Sequence, residues 1–264
     1  MPGRSPSFRR AAGCAVAAVV AVLSVAVAAE DESPAVVPYR PSVATPAALP
    51  APGWPELEAG WAEAKGGDAA RSRSTPLLLK LAWSESWGVL VGTDACDWQR
   101  AFDGTTARSG GDTTLQLKYK YAVSDAVSLG AQAGAAMPTA RPPFGTGKTD
   151  WNALGIASYS SDQGELDVNL GGTRLGAVDD GQGRWQGTWA VSSFHSLPHG
   201  FGITAEVSGV AQRHASALSQ LLGALSYGVS RQLVLDVGVV AGLSRASPDW
   251  QIMTGLTVQV GHWF

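Results

Sequence analysis

Two short runs in this sequence hold residue types that could do chemistry. Gly145, Thr146, Gly147, Lys148 and Thr149 resemble the tail of a phosphate-binding loop, where backbone N–H groups cradle phosphate and a lysine reaches it. The earlier glycine of that loop falls on Pro142, and Asp150-Trp151 open an alternating segment where an apolar helix should follow. A glycine-rich loop is the reading. Residues 193–200 bring His195, Ser196 and His199 together, as a serine hydrolase requires of its nucleophile and base. No acid stands beside them to orient the imidazole, and Pro198 with Gly200 points to a turn. His214 has no partner nearby, no spacing of ligands fits a metal, and Cys14 and Cys96 suggest no internal disulfide framework. The expectation is a chain that is not an enzyme and needs no cofactor or metal.

The elements that would carry such residues alternate with a period of two. Leu115, Leu117, Tyr119 and Tyr121 are interleaved with Gln116, Lys118 and Lys120, and Leu166, Val168 and Leu170 with Glu165, Asp167 and Asn169. A soluble sandwich shows the same alternation, so the connections must decide. Twelve strands can be laid at 54–63, 74–83, 87–102, 112–123, 126–137, 150–160, 164–175, 184–195, 200–211, 217–227, 231–243 and 249–264. Every odd-numbered gap between them is longer than every even one, the first long gap holding the basic run Arg71-Ser-Arg-Ser74. Short turns at one end and long loops at the other are the mark of an outer-membrane barrel, and an even strand count puts both termini in the periplasm. The third strand is irregular, slipping its alternation around Gly92-Thr93-Asp94 as a bulge would. The fold expected is all-β: a transmembrane antiparallel up-and-down β-barrel of about 12 strands, spanning residues 54–264.

Composition agrees. The chain holds 32 Gly and 10 Trp, every Trp at or after residue 54, and no run after the N-terminus approaches the length of a membrane helix. Residues 1–28 read as a cleaved signal peptide: Arg4, Arg9 and Arg10, an apolar run, then Ala26-Val27-Ala28. Its removal takes three of the 19 basic side chains and none of the 22 acids, leaving the remainder more acidic than the formal −3 of the whole and unsuited to nucleic acid. Residues 29–53, with six prolines, read as an extended periplasmic lead-in. The expected location is the outer membrane of a Gram-negative bacterium.

With the apolar face toward lipid, Lys80, Lys118, Lys120, Asp167, Glu206 and Asp236 turn into the lumen, along with Glu56, Glu58 and Glu165. They could form an ion-pair network, line a path for a polar solute, or both. Trp185, Trp189, Trp250 and Tyr227 belong to interfacial girdles or the lipid face. A lumen of this size could hold water or be plugged by the lead-in or a loop. Leu256, Val258, Val260, His262 and Phe264 share one face of the last strand. This resembles the targeting strand that barrel-insertion machinery reads, with Phe264, His262 and Val260 as the assembly signal.

The segments His199–Gly209, Ala224–Leu243, Ala246–Trp250 and Leu256–Phe264 are similar to a family of outer-membrane transporters labelled for the meta-pathway of phenol degradation. The resemblance rests on an inward Glu206, an L-D-x-G strand with Asp236 and Gly238, and a turn with Pro248 and Asp249. It implies a transporter-like barrel for small solutes, aromatic or acidic compounds among the candidates, with outer-membrane lipid around it and no catalytic residues. A lipid hydrolase using His195 and Ser196, and a structural or adhesive barrel with a filled lumen, stay open beside it.

Overall fold

The computed structural model describes residues 33–264, so the signal-peptide reading of 1–28 lies outside the described residues. Strands follow one another as β1 (Glu56–Gly66), β2 (Ala69–Ala82), β3 (Trp87–Arg100), β4 (Thr106–Ser109), β5 (Thr113–Ala122), β6 (Val127–Met137) and β7 (Asp150–Ser161). They continue as β8 (Gly164–Arg174), β9 (Trp185–Ser196), β10 (Phe201–Gln212), β11 (Leu218–Ser230), β12 (Leu233–Gly242) and β13 (Pro248–Gln259). Neighbours pair antiparallel, β3 joins β5, and β1 closes on β13 from Glu56↔Gln259 to Lys65↔Trp250. The result is a closed twelve-stranded barrel with β4 added to the upper part of β3. Closure leaves the twelve-stranded wall without an open edge, as lipid demands of a sheet, and β4 carries a free edge only in the long-loop region.

Burial is inverted relative to a soluble domain. The largest fully buried side chains include Lys80, Lys118, Glu56 and Glu206, whereas Leu115, Leu117, Val168, Leu170, Ile203, Val237 and Val239 stand exposed on the outer wall. In water such a surface would aggregate; facing acyl chains it is matched. Trp151, Trp185, Trp189 and Tyr227 share that outward exposure. Among the described residues no helix is long and apolar enough to cross a membrane, so the strands are what would cross. In detergent without boiling, the protein is expected to run as a folded species distinct from the boiled chain. Monodisperse behaviour in water alone would count against the membrane barrel.

Loop sorting is visible but not complete. Residues 138–149, 175–184, 213–217 and 243–247 form connections at one end, and 83–86, 123–126, 162–163, 197–200 and 231–232 form short ones at the other. The first connection departs from the long loop expected. Arg71 to Ser74 belong to β2 and pair with Lys65 to Ala62, and the turn is only Gly67 and Asp68, with Gly66 (φ 82°) and Gly67 (φ 74°) supplying the left-handed backbone. Polar side chains there alternate as well as apolar ones would, so hydropathy placed the boundary too low. The slip in β3 is a bulge a little further along than expected, Ser74 facing Asp97 and Pro76 facing Asp94. There β3 leaves β5 at Gly92↔Thr114 and takes β4, cut from the next loop, as its partner from Asp97 to Arg100.

The last strand is shorter than the 249–264 expected. Pairing ends at Gln259, and Gly261 (φ 99°) breaks the extended conformation. Beyond it the Val260 N–H donates to the Pro55 carbonyl (2.9 Å), the Trp263 N–H donates to that of Gly53 (2.8 Å), and His262 stacks on Trp54 (4.5 Å between ring centroids). Val258 is enclosed by Leu57, Leu233, Leu256 and Val260, whereas Phe264 is 62% exposed. The five residues therefore do not share one strand face throughout.

The largest departure concerns residues 33–53. Instead of an extended periplasmic lead-in they turn inside the barrel, the plugging arrangement that the sequence had left open. The Val36 N–H donates to the Arg231 carbonyl and the Gly53 N–H to that of Ala82, so both ends of the segment lie at the short-turn end while its middle enters the lumen. Six prolines leave few N–H groups to satisfy, and the wall supplies acceptors for those that remain.

Candidate functional site

The lumen is the site, and its geometry begins with register. Facing residues alternate in and out, so Glu56↔Lys80, Lys118↔Gln132, Asp167↔Ser192 and Glu206↔Ser192 bring polar side chains inward on adjacent strands, and Asp236 turns inward opposite Gly255. On β1 and β2, Lys80 Nζ lies 2.8 Å from Glu56 Oε2 and 2.7 Å from Glu58 Oε1, all three side chains being almost wholly buried. Two carboxylates against one ammonium leave acceptor capacity, which the inserted segment takes up. The Val37 N–H donates to Glu56 Oε1 (3.0 Å) and the Tyr39 N–H to Glu58 Oε1 (2.7 Å), while Lys80 donates to the Val37 carbonyl.

Around the rest of the wall the same pattern repeats. Arg40, the only basic residue between 29 and 53, pairs with Asp236 (3.2 Å) and donates to the Thr254 carbonyl (3.1 Å). The Ala44 N–H donates to Glu206 Oε2 (2.8 Å) and the Ala47 N–H to Ser158 Oγ (2.8 Å). Asn169 bonds Thr45 from both sides, accepting from its N–H (2.8 Å) and donating to its carbonyl (3.0 Å). Lys118 donates to the Tyr39 hydroxyl (2.9 Å) and the Pro46 carbonyl (2.6 Å). The Tyr39 ring lies between the two lysines, with Lys80 Nζ 4.1 Å and Lys118 Nζ 4.0 Å from its centroid. Asp167 accepts from Ser158, and Lys120, half-buried on the same inward face, makes no side-chain bond to the segment.

Residues 37–48 thus lie across the lumen, tied to strands from β1 round to β13. On one side they roof a cavity of about 580 Å³ at the short-turn end, lined among others by Tyr39, Arg40, Glu165, Asp167, Phe194 and Phe201. On the other side lie smaller spaces of about 200 and 220 Å³, lined by Gln116 and Gln132. The loop is a plug.

The other candidates are dispersed. Ser196 lines the cavity beneath the plug, whereas His195 alternates to the outer face and meets Ser193 Oγ at 3.2 Å. The pair singled out as nucleophile and base is therefore split by the pleat. The glycine-rich run 145–149 sits in the connection between β7 and β6, His214 bonds the Gly181 carbonyl (2.9 Å), and among the described residues no cluster is placed to hold a metal. What sequence reasoning missed were Tyr39, Arg40 and Thr45, because nothing in a proline-rich run reports what its few polar side chains will touch.

No family model matches the chain, and no curated protein matches it. Solved structures do. An outer-membrane channel from Pseudomonas putida F1 superposes with a TM-score of 0.64 at 9% identity, over 80% of this chain and 97% of that one. The KdgM porin gives 0.54 at 13% identity (78% and 99%), and the CymD monoaromatic hydrocarbon channel gives 0.50 at 12% (81% and 90%). At such identities the likeness is one of fold: this chain has the barrel of outer-membrane channels and porins.

Proposed function

We propose that the chain is an outer-membrane channel for small solutes, shut at its short-turn end by residues 33–53 and opened when that loop yields. The observation that carries the reading is how the loop is held. Its bonds to Glu56, Glu58, Ser158, Asn169, Glu206 and Asp236 are polar, with open space on both sides, so each can be exchanged for water as the loop leaves. A barrel meant only as a wall would be better filled by apolar side chains, since a buried ion pair gives little stability over a hydrophobic replacement. In this reading the short-turn end faces the periplasm, the apolar band meets outer-membrane lipid, and insertion machinery reads Val260, His262 and Phe264.

The solute we assign is a compact aromatic carrying a polar or acidic group. Phe194 turns an aromatic side chain toward the larger cavity, which Tyr39, Arg40, Glu165 and Asp167 also line. The fold kinship with channels supports transport over hydrolysis. The test is planar-bilayer conductance of the full barrel, with benzoate or phenol added as blockers and a sugar of similar size as control. Aromatic solutes are expected to interrupt the current and the sugar to leave it unchanged. Absence of current, both in the full chain and after deletion of residues 33–53, would leave a structural barrel.

A further inference from the structure

The basic run in β2 has no part in the lumen. Arg71 and Arg73 point outward, at the long-loop end of the wall, and the register builds two rows there. Lys65 faces Arg71, which faces Arg100; one step lower, Glu63 faces Arg73, which faces Trp98, which faces Arg108. Like charges directly opposite one another in a sheet repel, and the upper row sets three cations in register across strands about 4.8 Å apart. Glu63 answers two of the five, lying 2.5 Å from Arg71 and 2.6 Å from Arg73. Among the described residues Lys65, Arg100 and Arg108 have no carboxylate within ion-pair distance; Asp68 and Asp103 sit in the adjoining turns, the latter bound to Thr105.

Two further observations say what the rows face. Arg73 lies over the Trp98 ring (5.1 Å), and Trp61, 41% exposed on the same outer face, sits one step lower still, so aromatic rings lie directly below the cations. Rings of that kind mark the boundary between acyl chains and headgroups, which puts the upper row at headgroup height. Lys65, Arg71 and Arg100 also line a pocket of about 360 Å³ beside Phe102, which is 73% exposed. Guanidinium forks match phosphate oxygens in pairs, and an ammonium adds a point charge.

We infer that this outer face docks the phosphorylated saccharide headgroup of an outer-leaflet glycolipid, held by Lys65, Arg71 and Arg100. The inference rests on the outer-membrane reading above, with the long loops outermost. Phosphate groups of the lipid relieve the repulsion in the upper row, and Phe102 covers the saccharide.

The test uses the full barrel refolded in detergent free of such lipid, titrated with bisphosphorylated lipid A, with the dephosphorylated lipid and with inorganic phosphate, and followed by native mass spectrometry. Wild type is expected to hold bisphosphorylated lipid at least tenfold more tightly than the dephosphorylated one. The triple variant Lys65→Gln, Arg71→Gln, Arg100→Gln should lose that preference, and Arg213→Gln with Arg245→Gln should keep it. Without lipid the triple variant should melt no lower than wild type, because its neutralised row no longer repels itself; this separates the docking role from simple misfolding. Undiminished binding by the triple variant, or equal binding of the dephosphorylated lipid, overturns the inference. Competition by inorganic phosphate at the lipid's concentration overturns the lipid assignment. A separate arm labels Thr146→Cys and Ser124→Cys on whole cells in a Cys96→Ser background. Labelling of Thr146→Cys alone upholds the topology whatever the lipid does, and labelling of Ser124→Cys alone removes the topology itself.

Discussion

Oxidation of the double variant Ser42→Cys, Ser192→Cys is expected to lock the channel shut, and reduction to restore its opening. The two hydroxyls meet at 3.4 Å, one on the inserted loop and one on β9, so paired sulfurs at those positions are within reach of a bond. Cys96 is changed to serine in the same protein to prevent mispairing. If the loop gates the barrel, the oxidised form should show a small, quiet conductance and the reduced form the fluctuations of wild type. Deleting residues 33–53 is the complementary change. It removes the ties to Glu58, Asn169, Glu206 and Asp236 and leaves those side chains facing water in a lumen wider than that of a side-chain-filled eight-stranded barrel. Conductance should then rise clearly above that of the full chain, because water and ions can occupy the space the loop fills. An oxidised double variant that conducts like the reduced one would mean that ions pass by another route.

The wall of this barrel was legible in the sequence, whereas its plug was only one of the arrangements left open there, for reasons that can be named. Leu115 to Tyr121 and Leu166 to Leu170 announce two-residue periodicity because lipid on one side and polar surroundings on the other sort each strand by residue type. The boundary of β2 was lost where that sorting stops, since Arg71 and Arg73 stand on the outward face where apolar residues would have continued the alternation. Residues 33–53 have no period, and proline content suggests exposure, not enclosure. One signal pointed toward the lumen, but only register reveals it. Asp236 faces Ser226 and Gly255, Lys118 faces Gly88 and Gln132, and Glu206 faces Ser192 and Leu222. None of these buried charges has a counter-charge directly opposite it on a neighbouring strand. Their partners had to come from outside the sheet, and Arg40 and the backbone of residues 37–47 are those partners. The resemblance to outer-membrane transporters pointed to the same barrel, while the fold comparisons leave the solute to experiment.

The two buried lysines should differ sharply when each is removed, although both touch Tyr39. Lys80→Met deletes the ammonium paired with both Glu56 and Glu58 and strands two carboxylates in a nearly solvent-free wall. Breaking a buried ion pair from one side costs about 3–5 kcal/mol, chiefly because the remaining charge stays unpaired. Lys118→Met deletes bonds to a neutral hydroxyl and a carbonyl, and leaves no carboxylate that had been in ion-pair contact with it. Its cost should be smaller, about 1–3 kcal/mol for the unmade hydrogen bonds. Unfolding of the barrel by urea in detergent or lipid would read this order directly. The triple variant Lys80→Met, Glu56→Gln, Glu58→Gln should recover most of the loss, since the amides can still accept from Val37 and Tyr39 while carrying no charge. Conductance supplies the second axis. Lys118→Met lets go of the loop at Tyr39 and Pro46 while leaving the β1–β2 ion pairs intact, so it should open more often while staying more stable than the Lys80→Met barrel. If Lys80→Met proves no more damaging than Lys118→Met, the charges of β1 and β2 are hydrated in the working barrel, and the plug is looser than its hydrogen bonds imply.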